Sequence, residues 1–140
     1  MGDGNAKDWS HLRAPSAADI EALADAAYRR LPAEFRKLCE GLTIHVVDFP
    51  DGETLDEMGA QSEFDLLGLF RGHGLAHGAA VAHTGTLPNM IWLYRRPLLD
   101  FWCEGEDSLG AVVNHVLIHE IGHHFGLSDD DMETIEAAVD

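Results

Sequence analysis

The chain has 140 residues, nine basic and 25 acidic side chains, a formal charge of −16, and 46% apolar residues. That is one domain's worth of polypeptide with enough apolar side chains for a single core, and its negative field argues against nucleic acid as a partner. No run approaches the roughly 18 apolar residues of a membrane span, and Met1-Gly2-Asp3-Gly4-Asn5 has neither the basic nor the apolar region of a signal peptide. No membrane partner is therefore expected. Ala6 stands where a myristoylation signal wants Ser or Thr, so the expected compartment is the cytoplasm.

Residues 1–13 are polar and aperiodic and read as a disordered tail, leaving 14–140 as a single domain. Ser16 with Asp19 resembles a capping box, and Ile20, Leu23, Ala27 and Leu31 follow at helical spacing. Pro32 interrupts that helix and opens a second one, which runs to Glu40 and stops at Gly41. Leu42–Phe49 is β-branched and apolar, a strand ended by Pro50-Asp51-Gly52, and Glu53–Gly59 is a short helix. Leu66–Phe70 and Met90–Tyr94 read as two further strands, separated by a loop rich in Gly, Ala and His from Gly72 to Pro88. Pro97 opens a helical piece through Trp102, and Ser108 caps a long helix to Phe125 that Gly126 ends. Asp129–Val139 makes the last helix. Cys39 and Cys103 form no C-x-x-C pair and are expected to be reduced and buried. Helices first, then strands, then a long helix make an α+β fold.

The chemistry-bearing segment is His119-Glu120-Ile121-Gly122-His123. Residues four apart share a helix face with Cβ atoms roughly 5–6 Å apart, so His119 and His123 are placed to bind one Zn²⁺. Glu120 is rotated off that face, where a carboxylate can hold and deprotonate a metal-bound water as general base. Two histidines leave zinc under-ligated, and Gly126 lets the chain turn back so that Asp129 supplies a third ligand. The whole run reads H-E-x-x-H-x-x-G-x-x-D, with Asp where metzincin spacing has a third His. Asp130, Asp131 and Glu133 stay open as alternatives to Asp129, because only spacing separates them.

With these residues in view, the chain resembles the small bacterial zincin-like metallopeptidases from about Ala17 onward. The marks are Leu66-Leu67-Gly68-Leu69-Phe70, the run from Leu87 to Leu99, and Val116 through Asp131. The resemblance implies a minimal zincin fold: N-terminal helices, a small mixed sheet of about three to four strands, and the H-E-x-x-H helix near the C-terminus. It implies His119, His123 and Asp129 as metal ligands, zinc as the cofactor, Glu120 as general base and a peptide or protein as substrate. Only eleven residues follow Asp129, so a full Met-turn is not expected, and Met132 stands too close to serve as one.

Other polar residues read more plainly. His124 points about 100° away from His123, toward a supporting or surface role, and His115 flanks the site four residues before His119. His73, His77 and His83 read as solvated loop residues, Arg95 and Arg96 as partners for acidic surface groups, and Tyr94 as a core aromatic. The strand Met90–Tyr94 is a candidate edge for pairing with an extended peptide. Zinc-dependent peptide hydrolysis is the leading function. The alternatives are a zinc-binding protein-interaction module without efficient turnover and a metal-dependent hydrolase of non-peptide amides.

Overall fold

The computed structural model describes residues 8–72 and 88–138. Trp9–His11 form an exposed 3-10 turn capped by Asp8, while residues 1–7 of the expected tail lie outside the described residues.

Helix α1 (Ala17–Arg30) starts where the sequence signals it. The Asp19 N–H donates to Ser16 Oγ at 3.1 Å, and the Ser16 N–H donates to Asp19 Oδ2 at 2.8 Å. Its buried residues, Ile20, Ala24 and Ala27, repeat at helical spacing and make one apolar stripe. Leu31 leaves the helix in an extended conformation, as a residue before proline must, and α2 (Ala33–Leu38) follows. Strand β1 (Thr43–Val47) is shorter at both ends than the apolar run around it. Helix α3 (Gly52–Met58) is capped by Asp51, which accepts from the Thr54 N–H at 2.8 Å.

Strand β2 (Gly68–Arg71) begins two residues later than the sequence pattern suggests, and β3 (Met90–Tyr94) matches it. Helix α4 (Arg95–Glu104) carries Pro97 in its first turn, where the missing N–H costs nothing. The long helix α5 (Leu109–His124) is capped by Ser108, which accepts from the Ala111 N–H at 3.1 Å. The last helix, α6, spans Asp129–Ala138.

The three strands form one mixed sheet in the order β1-β3-β2, with β1 parallel and β2 antiparallel to β3. An α+β fold with N-terminal helices, a small mixed sheet and a long helix late in the chain is thus what the structure has. The strand order corrects one expectation: β3 is central and hydrogen-bonded on both sides, so it is not an edge. Among the described residues, the strand at the edge nearer α5 is β2.

The two-residue alternation of the strands divides the sheet. Ile44, Val46, Phe70, Ile91 and Leu93 belong to the core, while His45 stacks on Trp92 across the other face with ring centroids 4.6 Å apart. Helix α1 packs on α5 and β1, and α5 packs on β2. Val113, Leu117, Ile118 and Ile121 of α5 are fully buried, each contributing about 1.5–3 kcal/mol of apolar burial. The site helix is therefore the spine of the core. Gly68 lets β2 approach it, since a Cβ there would stand 3.0 Å from Val116 Cγ1 and 3.1 Å from the Trp92 carbonyl oxygen. Of the two cysteines, Cys39 is buried as expected, but Cys103 is exposed on the solvent side of α4.

Candidate metal centre

The end of α5 is shaped by hydrogen bonds that turn the chain back on itself. Gly126 adopts φ +77°, the left-handed conformation that glycine takes without steric cost. Its N–H donates to the His123 carbonyl at 3.2 Å, and the Leu127 N–H donates to the Gly122 carbonyl at 2.9 Å. This pair is a Schellman motif, closing two carbonyls the helix end would otherwise leave open. Helix α6 then starts with a second reciprocal cap. The Asp131 N–H donates to Ser128 Oγ at 3.1 Å, and the Ser128 N–H donates to Asp131 Oδ2 at 3.3 Å. Asp131, open to the sequence reading as a metal ligand, is engaged in that cap.

Helix α6 lies back along α5. Met132 is fully buried, and a Cβ on Gly122 would collide with Met132 Sδ and stand 2.8 Å from its Cγ. One helical turn beyond Met132, Glu136 reaches the histidines. Its Oε1 lies 3.0 Å from His119 Nε2 and 3.1 Å from His115 Nδ1, and its Oε2 lies 3.0 Å from the same His115 nitrogen.

A cleft of about 310 Å³ runs along this part of α5, lined by Asp65, Leu66, Leu67 and Gly68 on one side and by His115, Val116, His119, Glu120 and His123 on the other. His119 and His123 both face it, with ring centroids 5.7 Å apart. Two imidazoles ligating one ion at roughly 2.0–2.1 Å have centroids about 5 Å apart, so the ring spacing suits a shared ion, although His119 Nε2 is turned toward Glu136. Glu120 lines the same cleft, and burial pushes its carboxyl up to about 7.

Asp129 opens α6 and is exposed. Among the described residues, no set containing it brings three ligand atoms within 4.8 Å of one another. The set that does so is His115, His119 and Glu136. His124 turns away from the cleft and packs on Phe70, ring centroids 4.3 Å apart. Arg95 pairs with Asp48 at 3.3 Å, Arg96 lies over the Phe49 ring, and Tyr94 is buried. His73, His77 and His83 lie outside the described residues.

The model of the zincin-like metallopeptidases matches residues 39–139, well over half of the chain. The chain belongs to the zincin-like metallopeptidase family. No curated protein matches it. Within this family a metal, usually zinc, is implied, and the His115, His119 and Glu136 donors are of the type zinc takes. Like other zincin-like metallopeptidases, this chain is accordingly assigned to the hydrolases.

Sequence reasoning missed Glu136, and it gave His115 no more than a flanking place. The signal was present in α6: an apolar Met132 in a short acidic helix marks the face toward the core, and Glu136, four residues on, shares it.

Proposed function

We propose that the protein hydrolyses peptide bonds with a zinc ion held by His119, His123 and Asp129 and with Glu120 as general base. The observation that carries this reading is the position of Glu120. Its carboxyl lines the same cleft as His119 and His123. A half-buried carboxyl lining the same cleft as the two histidines is placed to take and return a proton, as hydrolysis of an amide requires. Zinc, when bound, supplies Lewis acidity toward a carbonyl and acidity to the water it holds.

The chain's own residues supply the rest. Glu120 accepts the proton of the attacking water and delivers it to the departing amine nitrogen. Leu66–Gly68 form the opposite wall, and β2 continues from them along the sheet's edge. An extended peptide laid beside β2, rather than beside the central β3, would present a carbonyl to Glu120. Asp129 is kept as third ligand on the spacing of the H-E-x-x-H-x-x-G-x-x-D run; the Schellman turn at Gly126, which brings α6 back onto α5, is compatible with that role.

The test compares wild type with Glu120→Gln, measuring bound zinc and cleavage of a peptide library. Zinc in both, with cleavage reduced about 10²–10⁴-fold in the variant, is the expected result for a lost general base. Equal cleavage by both would remove Glu120 from the reaction, and zinc in both without cleavage by either would favour a binding module. No described helix is long and apolar enough to cross a membrane. A cytoplasmic setting for this activity fits the two free cysteines.

A further inference from the structure

Three histidines stand at successive turns of α5, His115, His119 and His123, so His119 has a histidine neighbour on each side. The reading above uses the downstream pair. The structure draws His119 the other way: its ring centroid is 4.0 Å from that of His115 and 5.7 Å from that of His123. The Nε2 of His119, 21% exposed at the side chain, faces Glu136 Oε1 at 3.0 Å. Each imidazole nitrogen has one lone pair, so the Nε2 of His119 can serve a single ion at a time.

We propose that His115, His119 and Glu136 form a second divalent-metal position, overlapping the His119–His123 site through the shared His119, so that one ion occupies one position or the other. The donor atoms of the three residues lie within 4.8 Å of one another. Two ligands of a tetrahedral ion are about 3.4 Å apart at zinc bond lengths, so Glu136 and the histidines have only tenths of an ångström to yield. The rings of His115 and His119, tilted by 31°, must splay by about an ångström. His115, with half of its side chain exposed, has the room. Two imidazoles and a carboxylate suit Zn²⁺, Co²⁺ or Ni²⁺ better than Ca²⁺ or Mg²⁺. An ion held here withdraws His119 from His123 and leaves the downstream pair incomplete. The upstream position is therefore a holding site that competes with the one beside Glu120.

The position is tested by titrating the full chain, stripped with chelator, with Zn²⁺ against a competing chromophoric chelator. His123→Ala removes only the downstream pair and should still bind one ion, within about tenfold of wild type. Adding Glu136→Gln to it should weaken binding at least a hundredfold, while Glu136→Gln alone, which leaves the downstream site, should cost less than tenfold. Loss of binding in His123→Ala alone would overturn the overlapping site while leaving the downstream reading intact. Loss in Glu136→Gln alone would overturn both, because it would leave one site that depends on Glu136. Equal binding by His123→Ala with and without Glu136→Gln would also overturn the proposal. Metal-free melting of each variant checks folding, and His123→Asn replaces His123→Ala if that variant does not fold.

Discussion

The contact between Gly122 and Met132 carries a sharp prediction, because Gly122 lies inside the H-E-x-x-H segment and Met132 anchors the helix that brings Glu136 to the site. In Gly122→Ala, the new methyl group would meet Met132 Sδ and, at 2.8 Å, Met132 Cγ. Met132 is fully buried, so its side chain must repack within the core rather than swing into solvent. Overpacking of this kind costs about 1–3 kcal/mol. Replacing a mid-helix glycine by alanine returns about 1 kcal/mol of helix propensity. The single variant should therefore lose between about 0 and 2 kcal/mol. With Met132→Ala already in place the clash is gone, and the same substitution should stabilise the chain by about 1 kcal/mol. Urea unfolding of the wild type, both single variants and the double variant of the metal-free protein gives the coupling energy directly. The geometry requires a coupling of about 1–3 kcal/mol in favour of the double variant. Additive effects within about 0.5 kcal/mol would refute the claim that Gly122 is there to admit Met132.

The raised carboxyl of Glu120 makes metal-free stability depend on pH. Its affinity for a proton rises from 4.5 in the unfolded chain to about 7 in the folded one. Stability is fully present below pH 4.5 and falls as pH climbs toward 7, by at most about 3 kcal/mol at 1.36 kcal/mol per pH unit. Glu120→Gln should remove that slope and be the more stable protein at pH 8; parallel denaturation curves for the two between pH 4.5 and 8 would contradict it. Gly126→Ala places a Cβ in open space at φ +77°, so its whole cost is torsional, about 1–2 kcal/mol, read as a lower urea midpoint at unchanged slope. Zinc at a hundred times its dissociation constant should stabilise the wild type by about 2.7 kcal/mol. That stabilisation should vanish in a variant lacking His119, the histidine common to both positions, and calorimetry with and without chelator measures it.

Much of this architecture is legible in the sequence because its signals are local. Ser16 and Ser108 as caps, Gly126 as a left-handed stop, the β-branched run of β1 and the apolar, aromatic run of β3 each act within one turn or strand, and each helix and strand forms close to its signal. The start of β2 differs from the apolar pattern because Leu66 and Leu67 are apolar for another reason: they line the cleft, and Leu67 already accepts the Tyr94 N–H at 3.0 Å ahead of the strand proper. Strand order was not legible at all. Nothing in Met90–Tyr94 distinguishes a central strand from an edge, because pairing on both sides is decided by chain segments far away in sequence. Cys103 failed for a similar reason, since its exposure follows from which side of α4 the core occupies. The motif residues were found by spacing, whereas Glu136 is joined to His119 only through the packing of a separate helix.

That packing also explains how a carboxylate of one helix is held against the histidines of another. A carboxylate on a free loop would have to lose considerable conformational freedom before it met His119. Here the loss is met by apolar contacts that do not involve the metal. The Schellman turn reverses the chain, Met132 seats α6 against Gly122, and Glu136 is held one turn above that seat, at 3.0 Å from His119. The side chain that touches the site and the one that fixes its height are four residues apart on the same helix face. A change at Met132 should therefore alter zinc affinity although Met132 offers the ion no ligand of the His or carboxylate type. Its effect on affinity should shrink once Glu136 is replaced by Gln, leaving only the part carried by Asp129, the other α6 carboxylate proposed as a ligand. Zinc titration of Met132→Ala in the two backgrounds separates this positioning role from general loss of stability, which would persist in both.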